Sequence, residues 1–183
     1  MRKLRSGLFI SLDGVVQSPD QWQFDVFDAD MGAAMTAHLA AEDTLLLGRK
    51  TYEEWANYWP AAGDDEYGRH INGIPKYVVS DTLDSVAWGD YDNVTLVRGA
   101  DLAATVGRLK KQPGKHMGVG GSTTLVRSLL KAELLDELIL MIHPVIVGRG
   151  QRLFQDGDDL QRLTLVHSMV TGSGVAFLTY QPR

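Results

Sequence analysis

The chain contains no cysteine among its 183 residues. That absence excludes disulfides, thiolate metal sites, iron–sulfur clusters and cysteine nucleophiles together. Positive charge is not in surplus either: 18 Lys and Arg stand against 23 Asp and Glu, for a formal net charge of -5 and a pI near 5.5. Without a broad basic footprint the chain is not suited to hold phosphodiester backbones, and no nucleic-acid partner is expected. Long apolar runs are missing as well. None approaches the ~20 residues of a membrane-spanning helix, and the basic start runs into Asp13 after too short an apolar stretch for a secretory signal. The expectation is a soluble cytoplasmic protein with no membrane partner.

What is present is the composition of a globular domain, 44% apolar and 22% charged. The length suits a single domain spanning residues 1–183. Short apolar runs alternate with helical periodicity, the pattern of an α/β chain. Strands are expected at Leu4–Ser11, 44–47, 77–80, Val94–Val97 and 116–119. Residues 17–23 read as a loop. Helices are expected over 28–41, over a short stretch 51–58 stopped by Pro60, from Asp101 to just before Pro113, and after Gly121 with Leu125, Val126, Leu129 and Leu130 on one face. Residues 61–74, rich in glycine and charge, read as a surface loop. The last third changes character. The runs 138–147, Leu163–Val170 and 175–180 have no helix long enough to cross between them, so they are expected to pair antiparallel at one end of an otherwise parallel sheet. The fold class is therefore α/β, a mixed and mostly parallel central sheet with flanking helices.

Three stretches at expected strand ends can carry chemistry. Gly118-Val119-Gly120-Gly121-Ser122-Thr123-Thr124 lies between a strand and a helix. Glycines admit a ligand close to the backbone, a helix start offers free N–H groups, and the hydroxyls of Ser122 and Thr123 add donors, which suits a phosphate. The dinucleotide fingerprint is not met, because Thr123 stands at its third glycine, and no Walker lysine is present. The residues alone leave open a tight structural turn with Ser122 as N-cap. Gly48-Arg49-Lys50-Thr51 places two cations at a helix start, against the macrodipole, a conflict that a bound phosphate relieves. A solvated basic pair is the alternative. Ser80, just past a third strand, completes the set, and in open α/β sheets ligands gather outside the carboxyl ends of strands.

Beyond these, Asp13 follows the first strand and is a candidate substrate contact or proton relay, against the plain reading of Asp13-Gly14 as a turn. Trp22 and Phe27, with Phe24, could wall a planar substrate or pack on the core. His38 and Glu42 have the i, i+4 spacing of a metal pair but no third ligand, which favours a structural histidine; no metal is expected. The apolar run from Leu138 to Ile142 is either central in the sheet or covered by a second subunit.

In their order, Ile10-Ser11-Leu12-Asp13-Gly14, Leu47-Gly48-Arg49-Lys50-Thr51-Tyr52, Tyr77-Val78-Val79-Ser80, Val119-Gly120-Gly121-Ser122, Asp136-Glu137-Leu138 and Pro144-Val145-Ile146-Val147-Gly148-Arg149-Gly150 resemble the dihydrofolate reductase-like superfamily. The branch they are most similar to is the C-terminal reductase domain of the riboflavin-biosynthesis deaminase–reductase, related to 5-amino-6-(5-phosphoribosylamino)uracil reductase. The resemblance implies a three-layer fold, NADPH as hydride donor and a homodimer. It implies that Gly48, Arg49, Thr51 and Ser80 meet the adenosine 2′-phosphate and its neighbours, with Lys50 as an auxiliary contact, and that Gly120, Gly121, Ser122 and Thr123 cradle the pyrophosphate. It also implies that Asp13 lines the site near the nicotinamide. The first helix lacks the carboxylate with which dihydrofolate reductases hold a pterin, since Met31, Gly32 and Ala33 stand there. The expected activity is thus a stand-alone, NADPH-dependent oxidoreductase acting on another small heterocycle of pteridine or pyrimidine type. Alternatives are a catalytically silent NADPH-binding protein and a flavin-binding protein of the same fold.

Overall fold

The computed structural model describes residues 1–62 and 65–183. The described strands are β1 (Leu4–Ser11), β2 (Glu42–Gly48), β3 (Lys76–Val79), β4 (Val94–Val97), β5 (His116–Gly120), β6 (Glu137–His143), β7 (Leu163–Val170) and β8 (Ala176–Pro182). They form one sheet in the order β4-β3-β2-β5-β1-β6-β8-β7. The pairs from β4 to β6 are parallel, and β8 and β7 close the far side antiparallel. The helices are α1 (Ala29–Ala40), α2 (Arg49–Ala62), α3 (Glu66–Gly73), α4 (Leu102–Lys111) and α5 (Thr123–Lys131).

Strand alternation divides the core between the two faces of the sheet. On one face Leu4, Leu8, Ile10, Leu46, Met117, Val119 and Leu138 pack against the apolar stripes of α4 and α5. On the other face there are two smaller clusters. Met31 of α1 meets Ile139, Met141 and Phe177, while Leu45, Leu47 and Val78 meet Ile71 of α3 and Trp88. Between these two clusters the register sets Gly7 of β1 and Gly118 and Gly120 of β5 on the same face. Glycine inside a strand leaves no side chain to pack, so His38, Glu42, Leu47 and Trp55 lie directly on the backbone there.

Pro60 does not stop α2 at residue 58. The helix runs through it to Ala62, with the ring packed 2.7 Å from where a Cβ of Gly89 would lie. Residues 66–73 are helical and not loop. Asp65 caps α3 by accepting from Gly68 N at 2.6 Å, and Ile71 and Asn72 are buried beneath it, contacts that a glycine-rich local sequence does not announce. Gly63 and Asp64, part of the same expected loop, lie outside the described residues. The expected strand 138–147 ends at His143, because Pro144 has no N–H for the ladder. Its apolar run is explained by position: β6 lies inside the sheet, between β1 and β8.

Candidate functional site

The carboxyl ends of β2, β5 and β3 open into one cleft of about 1180 Å³, lined by Gly48, Arg49, Lys50, Thr51, Ser80 and the run from Gly120 to Thr123. Every stretch singled out as a phosphate contact therefore faces the same space. The cradle is tight. A Cβ on Gly48 would land on the Ser122 hydroxyl, and one on Gly121 would lie 2.9 Å from Thr51 Oγ1. Gly121 and Ser122 both have left-handed backbone, with φ of 56° and 53°. That conformation is uncommon for serine, and it turns the chain so that the Ser122 hydroxyl accepts from Leu125 N at the start of α5. Thr123 Oγ1 accepts from Gln151 Nε2 at 2.5 Å, which ties the segment after β6 to the cradle.

The helices α2 and α5 begin side by side at this mouth, so two positive dipole ends converge there. Arg49 is half-exposed, with Nη1 donating to both carboxylate oxygens of Glu53 at 3.1 Å. Ser80 is buried, and its hydroxyl accepts from Thr82 N and Leu83 N at 3.2 Å. Arg98 clamps the same turn by donating to Ser80 O and Leu83 O. Backbone donors, a left-handed glycine turn and two cations lining one cleft fit a nucleotide carrying several phosphates.

Asp13 is elsewhere. Its carboxylate accepts from Ser11 Oγ at 2.6 Å, Val147 N at 3.0 Å and Gly148 N at 2.9 Å, and pairs with Arg152. The Ser11 hydroxyl, then the Val147 N–H, hold its carboxyl down at about 2. It is an anionic staple between the end of β1 and the segment after Pro144, with no proton to give at neutral pH, and it does not line the cleft. Trp22 and Phe27 are likewise outside the cleft lining. Trp22 meets His143 edge-on at 5.4 Å and donates to Gln17 O, whereas Phe27 pairs with Phe24 on the surface.

Local motifs gave no notice of the inner half of the cleft. It runs beneath α1 and α3, past Phe9, Met35, Trp55, Ile71 and Met141, to His38, Glu42, Tyr67 and His70. His38 and Glu42 are not a metal pair with a missing ligand. His38 Nδ1 faces Arg5 Nη2 at 3.4 Å, and its Nε2 lies 3.3 Å from Glu42 Oε1. Since Arg5 can only donate, Nδ1 is the acceptor and Nε2 carries the proton. Arg5 is itself paired to Glu137 at 3.1 Å. Burial pulls the His38 imidazole down to about 4, with Arg5 adding to it, and pushes the Glu42 carboxyl up to about 8 against the opposing charge of Arg5. The signal in the sequence was the glycines: Gly7 and Gly118 make room for these side chains, since a Cβ on Gly7 would lie 3.1 Å from His38 Nε2 and one on Gly118 would land on Glu42.

These two shifts act oppositely on stability. An imidazole kept neutral in the fold makes stability rise with pH between its folded and unfolded values, about 4 and 6.5. A carboxyl kept protonated makes stability fall between its unfolded value of 4.5 and its folded value of about 8. Only the second remains above pH 6.5. Between pH 6.5 and 8 Glu42 alone contributes a loss of about 1.5 kcal/mol, so the stability change over that interval should be more favourable by about that amount in Glu42→Gln than in wild type, read from urea melts at both pH values. A slope unchanged in Glu42→Gln would show that Glu42 is ionised throughout.

The fold is that of the dihydrofolate reductase-like class. The structure aligns with dihydrofolate reductase from Enterococcus faecalis, solved in complex with NADP(H), at TM-score 0.63 and 14% identity, over 99% of this chain and 96% of that one. Closer in shape is a putative riboflavin biosynthesis protein from Shewanella sp. PV-4, at TM-score 0.78 and 23% identity over 99% of both chains. The model of the RibD C-terminal domain family matches residues 2–177, and the chain belongs to that family. It is also 31% identical to the uncharacterized protein YyaP of Bacillus subtilis, over 98% of this chain and 94% of that protein. No helix among the described residues is long and apolar enough to cross a membrane. Family and fold together place the chain in the RibD C-terminal domain family with a dihydrofolate reductase-like fold.

Proposed function

We propose that the protein is an NADPH-dependent reductase of a small heterocycle, with the nucleotide across the strand ends and the substrate in the inner half of the cleft. One observation carries this reading: the phosphate cradle and the inner end lined by Gly7, His38 and Glu42 are a single continuous space. NADPH bound there would supply the hydride. Gly48, Gly120 and Gly121 admit its phosphates to the backbone, Ser122 and Thr123 offer N–H groups at the start of α5, and Arg49 with Lys50 faces the adenosine 2′-phosphate. Trp55 and Phe9 exclude water from the floor between the two halves. The NADP(H) complex of the E. faecalis relative supports the cofactor. The reading carries with it a cytoplasmic homodimer, for which the exposed apolar side chains Leu165, Val166 and Val170 of β7 are an available surface.

The test is a paired titration of NADPH and NADH with Arg49→Ala as control. Losing a charge-assisted phosphate contact costs about 1.5–3 kcal/mol. We expect NADPH to bind more tightly than NADH, and Arg49→Ala to weaken NADPH by about 10- to 100-fold with NADH unchanged. Equal losses for both nucleotides would remove Arg49 from the 2′-phosphate site. No binding of either would remove the reductase reading.

A further inference from the structure

The inner end of the cleft holds two buried polar atoms that lack a partner among the described residues, Glu42 Oε1 and His70 Nε2. A buried polar atom without a partner is rare and costly, and each calls for an explanation. Glu42 is 5% exposed, and the nearby His38 Nε2 is off the direction of a hydrogen bond to Oε1. Both orphans line a space whose other walls are apolar or aromatic: Phe9, Met35, Trp55, Ile71 and Met141. Gly7 and Gly120 also line it, with Trp55 standing 3.2 Å from where a Cβ of Gly120 would be.

We propose that this inner end recognises the edge of an uncharged planar heterocycle in which a hydrogen-bond acceptor sits beside an N–H donor, and that Glu42 is the residue that reads that edge. This deepens the reductase reading and rests on it for the site's purpose. A protonated carboxyl is both donor and acceptor, so it pairs with such an edge through two parallel hydrogen bonds. Burial keeps Glu42 in that form against the charge of Arg5 from β1, which is paired to Glu137 of β6; the other groups around it are a neutral His38 from α1 and Tyr67 and His70 from α3. Arg5 does not line the cleft, so it is not available to an anionic ring substituent. A phosphate or carboxylate on the substrate must point to the mouth.

The probe is 2-pyridone, a lactam with this edge, titrated into the full chain at pH 6.5 and followed by NMR, with N-methyl-2-pyridone as the analogue lacking the donor. We expect millimolar binding of 2-pyridone and at least about 10-fold weaker binding of the N-methyl compound, since one buried group is left unpaired. Glu42→Leu fills the volume and cannot pair, so it should lose about 10-fold or more. Glu42→Gln keeps a donor and an acceptor. It should bind within about threefold of wild type at pH 6.5 and hold that affinity to pH 9, where wild type weakens by about fivefold or more as its carboxyl ionises. Should Glu42→Leu fail to fold, the two pyridones on wild type and the pH series on Glu42→Gln still decide. Equal binding of both pyridones, binding of neither, or a pH dependence that persists in Glu42→Gln overturns the proposal. NADPH is titrated into the same preparation: nucleotide binding without lactam recognition defeats this inference and leaves the reductase reading standing, while the reverse result defeats that reading alone.

Discussion

Gly48→Ala is expected to lower NADPH affinity by about 100-fold. The added Cβ would coincide with the Ser122 hydroxyl, so either β2 or the start of α5 has to move. Ser122 is the group least able to give way. Its left-handed backbone and its bond to Leu125 N fix the first turn of α5, and Thr123 behind it is buried and tied to Gln151. Shifting that turn withdraws the N–H groups of α5 from the phosphate position. Losing two such charge-assisted bonds costs about 3 kcal/mol or more, the equivalent of 100-fold. Isothermal titration with NADPH measures the loss, and circular dichroism confirms that the sheet persists. Affinity within about threefold of wild type would mean that the Gly121–Ser122 turn is structural and the nucleotide lies elsewhere.

Trp88→Ala is expected to cost about 3–5 kcal/mol of stability, the range for truncating a large buried aromatic. Trp88 is fully buried in the cluster of Leu45, Leu47, Ile71 and Val78, and its Nε1 donates to Asn72 Oδ1 at 2.7 Å. The ring also lies 4.7 Å from the ammonium of Lys76, a fully buried lysine that donates to Asn72 O, Ile74 O and Asn93 Oδ1 and whose burial lowers it to about 8. Removing the indole leaves a cavity, an unpaired Asn72 oxygen and a buried cation without its aromatic face. Trp88→Phe keeps most of the volume and loses only the hydrogen bond, about 1–3 kcal/mol. Urea melts at constant slope separate the two variants. If Trp88→Ala lost under about 1 kcal/mol, the indole would not hold together the cluster of Leu45, Leu47, Ile71 and Val78. Because β2 and α2 frame the Gly48 turn, nucleotide affinity should fall in parallel.

The mouth of the site was legible because its devices are local. A glycine needed for a left-handed turn, a hydroxyl at a helix start and a cation pair after a strand all sit within a few residues of one another, and Gly48, Arg49, Ser80, Gly120 and Thr123 indeed line one cleft. Asp13, Trp22 and Phe27 show where local reading fails. Asp13 has the sequence position of a site residue, but its partners Val147, Gly148 and Arg152 arrive from more than 130 positions away and consume its lone pairs. The inner end was hidden for the same reason: His38 and Glu42 read as an incomplete metal pair until β1 and β5 set Gly7 and Gly118 beneath them and brought Arg5 to the imidazole.

The sequence by itself determined the strand and helix periodicity, the antiparallel close of the sheet and the glycine turns, since each depends on backbone preferences and on the spacing of neighbours. It also held the absences: no thiol chemistry and no basic footprint. Tertiary structure decided that residues 66–73 are a helix and that Pro60 lies within one, because Asp65, Ile71 and Gly89 reward those conformations only after packing. It decided too which ionisable groups keep their charge. Asp13 stays an anion where the Ser11 hydroxyl and backbone N–H groups converge on it, and Glu42 holds its proton where burial outweighs the charge of Arg5. Desolvation and long-range hydrogen bonding set those states, and neither exists until the chain is folded.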